Sequence, residues 1–444
     1  MALAATALTT SPAIAKRGEG VLTLNRYVEA RLAELSEQPE VATAIYSESL
    51  KEQPDNGLFA RKAYVKAIET GNFDLALKAV RLLDLQGRID AEMPLVLFAD
   101  GFARRDWRTS ETALLELESL KNFAFLLPYL KAWMATARGG DSIEYLNDAE
   151  SDATAKFYLD EQLALLQLAQ NNHGTAASID EIVSRDDPRM APVRILAARH
   201  YLAGNDISRA IAVLASNRTG PEARLSKAIE ADSEKKYSRK IDAQSGVAFL
   251  FHRLSSDLGA QRATFLSLVT AQIAARISPE NDYGHLILGQ AYQKIENSKL
   301  ANRQLARVSE NSPYFLVALN SEILNQIEAK QFDAAISRLD QRIAGEGATP
   351  ELRFLKGQVF QVSGQHKQAA DAFSEAISLA ENKNYPDHIL ASYWLSLGGA
   401  QEQAGIWPQG LKSLERANEL RPNTASILNY LGYAQLEQIG RAHV

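Results

Sequence analysis

Residues able to do acid–base or metal chemistry are present in this chain, but their spacing assembles no catalytic site. The seven histidines are His173, His200, His252, His285, His366, His388 and His443. None lies three to five residues from another, the separation at which one helix offers two imidazoles to a metal. There is no cysteine, which removes both a thiolate nucleophile and a metal knuckle. The sequence also lacks a Gly-x-Ser-x-Gly elbow, a glycine-rich phosphate loop ending in Lys-Ser/Thr, and a His-Glu-x-x-His helix. The 54 acidic residues fall mostly on outward helix faces, where solvated charge is the rule. Neither enzyme activity nor a cofactor is therefore expected. What remains is recognition by shape.

The elements that would provide that shape repeat. Four windows, beginning at Ala248, Asp282, Leu316 and Pro350, superpose at a step of 34 residues without a gap. Two more, at Ala391 and Ala425, follow after one insertion. A fixed period of this size marks stacked copies of one supersecondary unit. The clearest copy reads Trp394-x-x-Leu397-Gly398, then Gly405, Gly410, Leu414, Ala417 and Pro422. This resembles the tetratricopeptide repeat, with Gln401 in the aromatic slot that Tyr292 and Phe360 fill in other copies.

Each slot has a physical reason. Gly289, Gly357, Gly398 and Gly432 fall where the two helices of a unit would cross closely. Ala301, Ala335, Ala369 and Gly410 are their small partners on the second helix. Pro279, Pro313 and Pro422 would stop the second helix, because proline lacks an N–H and disfavours helix in the preceding residue. Earlier copies begin at Thr23, Gly57, Phe123, Phe157 and Ala191, while between Ile89 and Leu120 the spacing is helical but the register drifts. About eleven helix pairs account for most of the chain. His285 occupies the slot of Trp394, so packing explains it better than ligation.

Apolar residues recur at helical spacing and no sustained alternation appears, so the fold expected is all-α, a solenoid of antiparallel helix pairs in a right-handed superhelix. Hydrophobic residues make up 46% and charged residues 23%, which excludes wholesale disorder. The net charge of −6 offers no basic field, and no Arg/Lys stripe with interleaved aromatics argues for nucleic acid. No apolar run is long enough to span a membrane. Residues 16–215 read as a degenerate N-terminal array, 216–244 as a polar connector, and 245–444 as a C-terminal array whose last repeat is incomplete. The connector, Ser216 to Gln244, breaks the period and is either a plain joint between arrays or a partner-binding or bridging segment. A second interruption, seven residues around Tyr385-Pro386-Asp387, reads as a lengthened turn between repeats. Arg138-Gly139-Gly140-Asp141 is a turn between helices.

Both ends depart from the pattern. Ala2–Ala15 ends in Ala13-Ile14-Ala15 before Lys16-Arg17, which looks like the back half of a secretory signal peptide. If it is one, the protein is periplasmic or envelope-associated; otherwise it is cytoplasmic. At the other end, a repeat opens at Ala425 and stops at Val444 before its second helix, so the sequence reads as a fragment of a longer protein. The unpartnered face of that repeat, Leu428, Leu431 and Leu436, is expected to fray or self-associate.

The order of Gly246-Val247-Ala248-Phe249-Leu250-Phe251, Asn311-Ser312-Pro313-Tyr314-Phe315 and Leu428-Asn429-Tyr430-Leu431-Gly432-Tyr433 is similar to exported tetratricopeptide proteins of alphaproteobacteria. The resemblance implies a scaffold that binds a protein or peptide through its concave face. It also implies which positions face the groove: Tyr283, Gln290 and Gln293; Asn320 and Leu324; Glu351, Phe354, Gln358 and Gln361. These amides and apolar anchors suit an extended or helical peptide, and depart from the Lys/Asn set with which some members clamp a C-terminal carboxylate. The alternative role is an accessory subunit of an envelope assembly or export machine, for outer-membrane proteins or polysaccharide, docking through C-terminal repeats that lie beyond Val444.

Overall fold

The computed structural model describes residues 12–170, 181–183, 185, 187–215, 220–231 and 234–442, and among these there are helices and turns but no strand. Most of the expected leader, Ala2–Ala15, lies outside the described residues, as do His173 and His443.

Helices alternate with turns of a few residues, and the turn chemistry explains why. Gly71 ends the helix Gly57–Thr70 in the left-handed region at φ 75°. The next residue, Asn72, accepts the Leu75 N–H and so caps the helix Phe73–Leu85. Asp106, Asp152, Asn281 and Thr349 cap the helices that follow them in the same way, and Asp242 forms a reciprocal capping box with Ser245.

Of the expected crossing glycines, Gly357 and Gly398 stand at close approaches, while a Cβ on Gly432 would meet nothing within 4 Å. A Cβ placed on Gly357 would lie 2.5 Å from the Phe373 ring, and one on Gly398 would lie 2.7 Å from Leu414 and 3.1 Å from the Gly410 carbonyl. Between Ile89 and Leu120, where the register drifts, the pair is Met93–Ala103 with Trp107–Leu120. Here the close approach is Gly101 to Ser110, with 2.7 Å from a Gly101 Cβ to the Ser110 hydroxyl. Ser110 stands as far into its helix as Gly410 does, and Gly101 lies three residues nearer the connecting loop than Gly398.

The chain forms two compact units, and their composition differs from the division drawn from the sequence. Unit 1 joins Met1–Val213 to Lys235–Gln304; unit 2 joins Leu214–Glu234 to Leu305–Val444. The first sixty residues of the expected C-terminal array thus belong with the N-terminal one, and the reason is burial. In unit 1 the helix Ala243–Ala260 packs on Leu127–Ala137, Ala153–Ala169 and Thr264–Ile277. Its run from Gly246 to Phe251 is buried at every position, as expected of a helix that is apolar on all sides. Thr264–Ile277 packs on Met93–Ala103 and Gly57–Thr70. Charge pairing fixes the same contact: Glu161, 1% exposed, is held by Arg253 and by Arg189, and Arg189 is held in turn by both oxygens of Asp257.

In unit 2 the helices Phe315–Glu328, Phe332–Glu346, Pro350–Val362, His366–Asn382, Asp387–Gln403, Trp407–Leu420 and Ala425–Ala442 follow as pairs and a final single helix. Their core runs from Phe315, Leu319, Ile323, Leu339 and Val359 to Phe373, Ile377, Tyr393 and Leu397. Connector residues contribute a helix of their own, Gly220–Glu230, which packs on Phe315–Glu328.

Candidate functional site

Pro350–Val362 presents every third or fourth residue of one face, and this spacing aligns Glu351, Phe354 and Gln358. The preceding first helix, Phe315–Glu328, adds Val317 and Asn320 at the repeat positions of Glu351 and Phe354, with Leu316 beside them. These six residues line one cavity of about 500 Å³, closed by Gly220, Pro221, Ala223, Arg224 and Lys227 of the connector helix and by Lys383, Tyr385 and Tyr393. Every lining residue belongs to unit 2.

An aromatic stack forms one wall. The rings of Phe354 and Tyr393 lie 4.2 Å apart and 10° from parallel, and Phe373 packs on the other side of Phe354 at 5.2 Å. The Tyr385 hydroxyl donates to the Glu351 carboxylate. Burial and the Glu351 carboxylate both hold the Tyr385 and Tyr393 hydroxyls far above their ordinary range, so neither ionises near neutrality. Asn320 and Gln358 have no hydrogen-bond partner among the described residues, which leaves their amides for a guest.

The structure thus brings together four of the nine candidate groove residues: Asn320, Glu351, Phe354 and Gln358. It does not bring the other five to them. Leu324 is 42% exposed on the same helix as Asn320 but outside the cavity. Gln361 donates to Gln403. Tyr283, Gln290 and Gln293 lie on Asp282–Lys294 in unit 1. There Tyr283 is packed against the Phe249 ring at 6.3 Å and the His252 ring at 5.5 Å. Arg224, Lys227, Lys383, Tyr385 and Tyr393 were not among the candidates. Four of these five come from the connector and the insertion, so the interruptions of the period were the available signal.

His252 is fully buried with no partner for either ring nitrogen, and burial pushes it down to about 3, so it stays neutral. No group of three or more His, Asp or Glu able to hold a metal exists among the described residues. Nor is any described helix long and apolar enough to cross a membrane.

No family model matches the chain, and no curated protein matches it. Solved structures do. The chain is similar to yeast Tom70 at 12% identity over 96% of this chain and 97% of that one, with a TM-score of 0.37. It is similar to the MamA protein at 19% identity over 39% of this chain and 91% of that one, with a TM-score of 0.30. It is also similar to YrrB, described as a TPR protein with an unusual peptide-binding site, at 15% identity over 47% of this chain and 98% of that one, TM-score 0.29.

Proposed function

We propose that this chain is a non-enzymatic scaffold that holds a segment of another protein in the groove of unit 2. The observation that carries the reading is the convergence of Asn320, Glu351, Phe354 and Gln358 on one partly apolar cavity. Unpartnered amides beside an aromatic stack can take the backbone and one apolar side chain of a peptide. The test is peptide selection from a phage-displayed library on the whole chain, followed by binding to Gln358→Arg and Phe354→Ala. Truncating a buried aromatic anchor costs 2 kcal/mol or more, so affinity should fall by about thirtyfold or more. Equal affinity for wild type and both variants would place binding elsewhere.

Export is part of the proposal. If Ala2–Ala15 acts as a leader, the scaffold works in the periplasm or envelope, where the accessory-subunit role becomes the finer alternative. Cell fractionation checks this, and a protein found only in the cytoplasm removes both ideas.

A second association is self-association through Ala425–Ala442. Leu428, Tyr433 and Leu436 on this helix are 45%, 61% and 66% exposed, and a Cβ on Gly432 would meet nothing within 4 Å. Covering such side chains is worth roughly 1.5–3 kcal/mol each. Sedimentation should therefore show concentration-dependent dimers that Leu428→Glu with Leu436→Glu abolishes. A wild type that stays monomeric at ~100 times the concentration used for binding removes the idea.

A further inference from the structure

The two segments that interrupt the 34-residue period meet at the same cavity, and they change its charge. The repeat helices alone supply one carboxylate, Glu351, with amides and apolar groups. The connector helix adds Arg224 and Lys227, and the insertion adds Lys383. Three cations against one carboxylate give this wall a net positive charge, in a chain whose own net charge is −6.

These cations are not equivalent. Arg224 fastens the connector helix to unit 2: its Nε donates to the Ser312 carbonyl at 3.2 Å and an Nη to the Glu310 carbonyl at 2.6 Å. Its guanidinium also lies over the Phe315 ring, 5.6 Å from the centroid. With Arg224 so held, Lys227 stands at the cavity about one turn further along the helix. Lys227 and Lys383 are exposed and form no ion pair among the described residues. Glu351 keeps its charge while accepting from the Tyr385 hydroxyl, but it forms no ion pair with either lysine, and one carboxylate offsets at most one of the three cations.

Resting on the groove reading above, we propose that the cavity selects an acidic peptide segment. An apolar side chain seats against the Phe354–Tyr393 stack, and aspartate or glutamate residues flanking it pair with Lys227 and Lys383. The connector is then a specificity element, since the repeat helices alone present only the Glu351 carboxylate, which would disfavour acids. Exposed ion pairs are individually weak, about two- to fivefold in affinity each, and salt screens them. Two of them acting together give roughly tenfold selectivity for acid over amide.

The experiment uses the peptides selected on the whole chain from a random dodecapeptide library, then synthesised with fluorescein and titrated by polarisation. Expected are sequences with Asp or Glu beside Leu, Phe or Met, and a loss of about tenfold when those acids become amides. A similar loss should follow Lys227→Gln with Lys383→Gln, or an increase of salt from 50 to 500 mM, since the Debye length falls from roughly 14 to 4 Å. The reversed variant, Lys227→Glu with Lys383→Glu, should instead prefer the same peptide carrying lysines. Far-UV circular dichroism of each variant guards against misfolding. Neutral or basic peptides that still need Phe354 and Gln358 would overturn the acidic preference and leave the groove reading standing. Acidic peptides indifferent to Phe354, Gln358 and both lysines would overturn the two together.

Discussion

Replacing Glu161 with alanine is expected to destabilise unit 1 by roughly 3–5 kcal/mol. The Glu161 carboxylate is 1% exposed and accepts from Arg253 Nε at 3.0 and 3.1 Å, from an Arg253 Nη at 2.7 Å, and lies 2.7 Å from Arg189 Nε. Removing it leaves Arg253, 7% exposed, without its counter-charge, held by the Arg189 carbonyl at 2.8 Å and by the neutral Tyr283 side chain. A buried guanidinium without its counter-charge is the costly outcome, whatever the intact pair is worth. Arg189 suffers less, because Asp257 still holds it at 2.8 and 3.0 Å. The neighbouring Asp160 is the control: its pair with Arg185 is about half exposed on both sides, so Asp160→Ala should cost less than about 1 kcal/mol. Because the chain has two units, whole-chain melting is a poor reporter. Hydrogen exchange of the helices Ala153–Ala169 and Ala243–Ala260 is the measurement. Equal protection in the Glu161→Ala and Asp160→Ala variants would show that the pair does not fasten Ala243–Ala260, the buried inner helix of unit 1.

This network also shows where the sequence stopped being informative. Glu161 and Arg253 are 92 residues apart, on helices whose periodicity alone assigns them to two different arrays. Period and slot residues predict each helix pair, because a crossing that needs glycine against alanine is a local property. Gly398 against Gly410, and Gly357 against the Phe373 ring, show such local close approaches. They do not predict which non-adjacent helices pack together. The run Gly246 to Phe251 was visible as an apolar motif, but its burial by helices from Leu127 to Ala169 depends on the path of the whole N-terminal array. Between Ile89 and Leu120 the glycine of the first helix is displaced by three residues, to Gly101, where it meets Ser110.

The groove was legible to a similar depth. Asn320, Glu351, Phe354 and Gln358 follow from the repeat positions of two adjacent first helices, and adjacency is what the period encodes. Tyr283 has an equivalent position in its own repeat, yet it packs on Phe249 and His252 in unit 1. Equivalent sequence positions thus have different neighbours within the two units. Lys227 and Lys383 could not be placed from the period at all, since each belongs to a segment that breaks it.

The contact between Trp133 and Gly246 offers the sharpest test of how the inner helix sits in unit 1. Trp133 is fully buried, and its Nε1 donates to the Gln162 side chain at 2.8 Å. A Cβ on Gly246 would lie 2.3–2.5 Å from atoms of the indole, so only glycine fits against that ring. Trp133→Ala should cost roughly 3–5 kcal/mol through the cavity it opens, with the buried Gln162 losing a partner as well. Gly246→Leu alone should cost about 1–3 kcal/mol or more by overpacking. Combined, the two should not add: the leucine can enter the space the indole vacates, giving a favourable coupling above about 1 kcal/mol. Native-state hydrogen exchange of the helix Leu127–Ala137 in the four forms, which reads unit 1 alone, measures that coupling. Additivity within about 0.5 kcal/mol would mean that the two residues do not share a contact, and that the inner helix is held in another register.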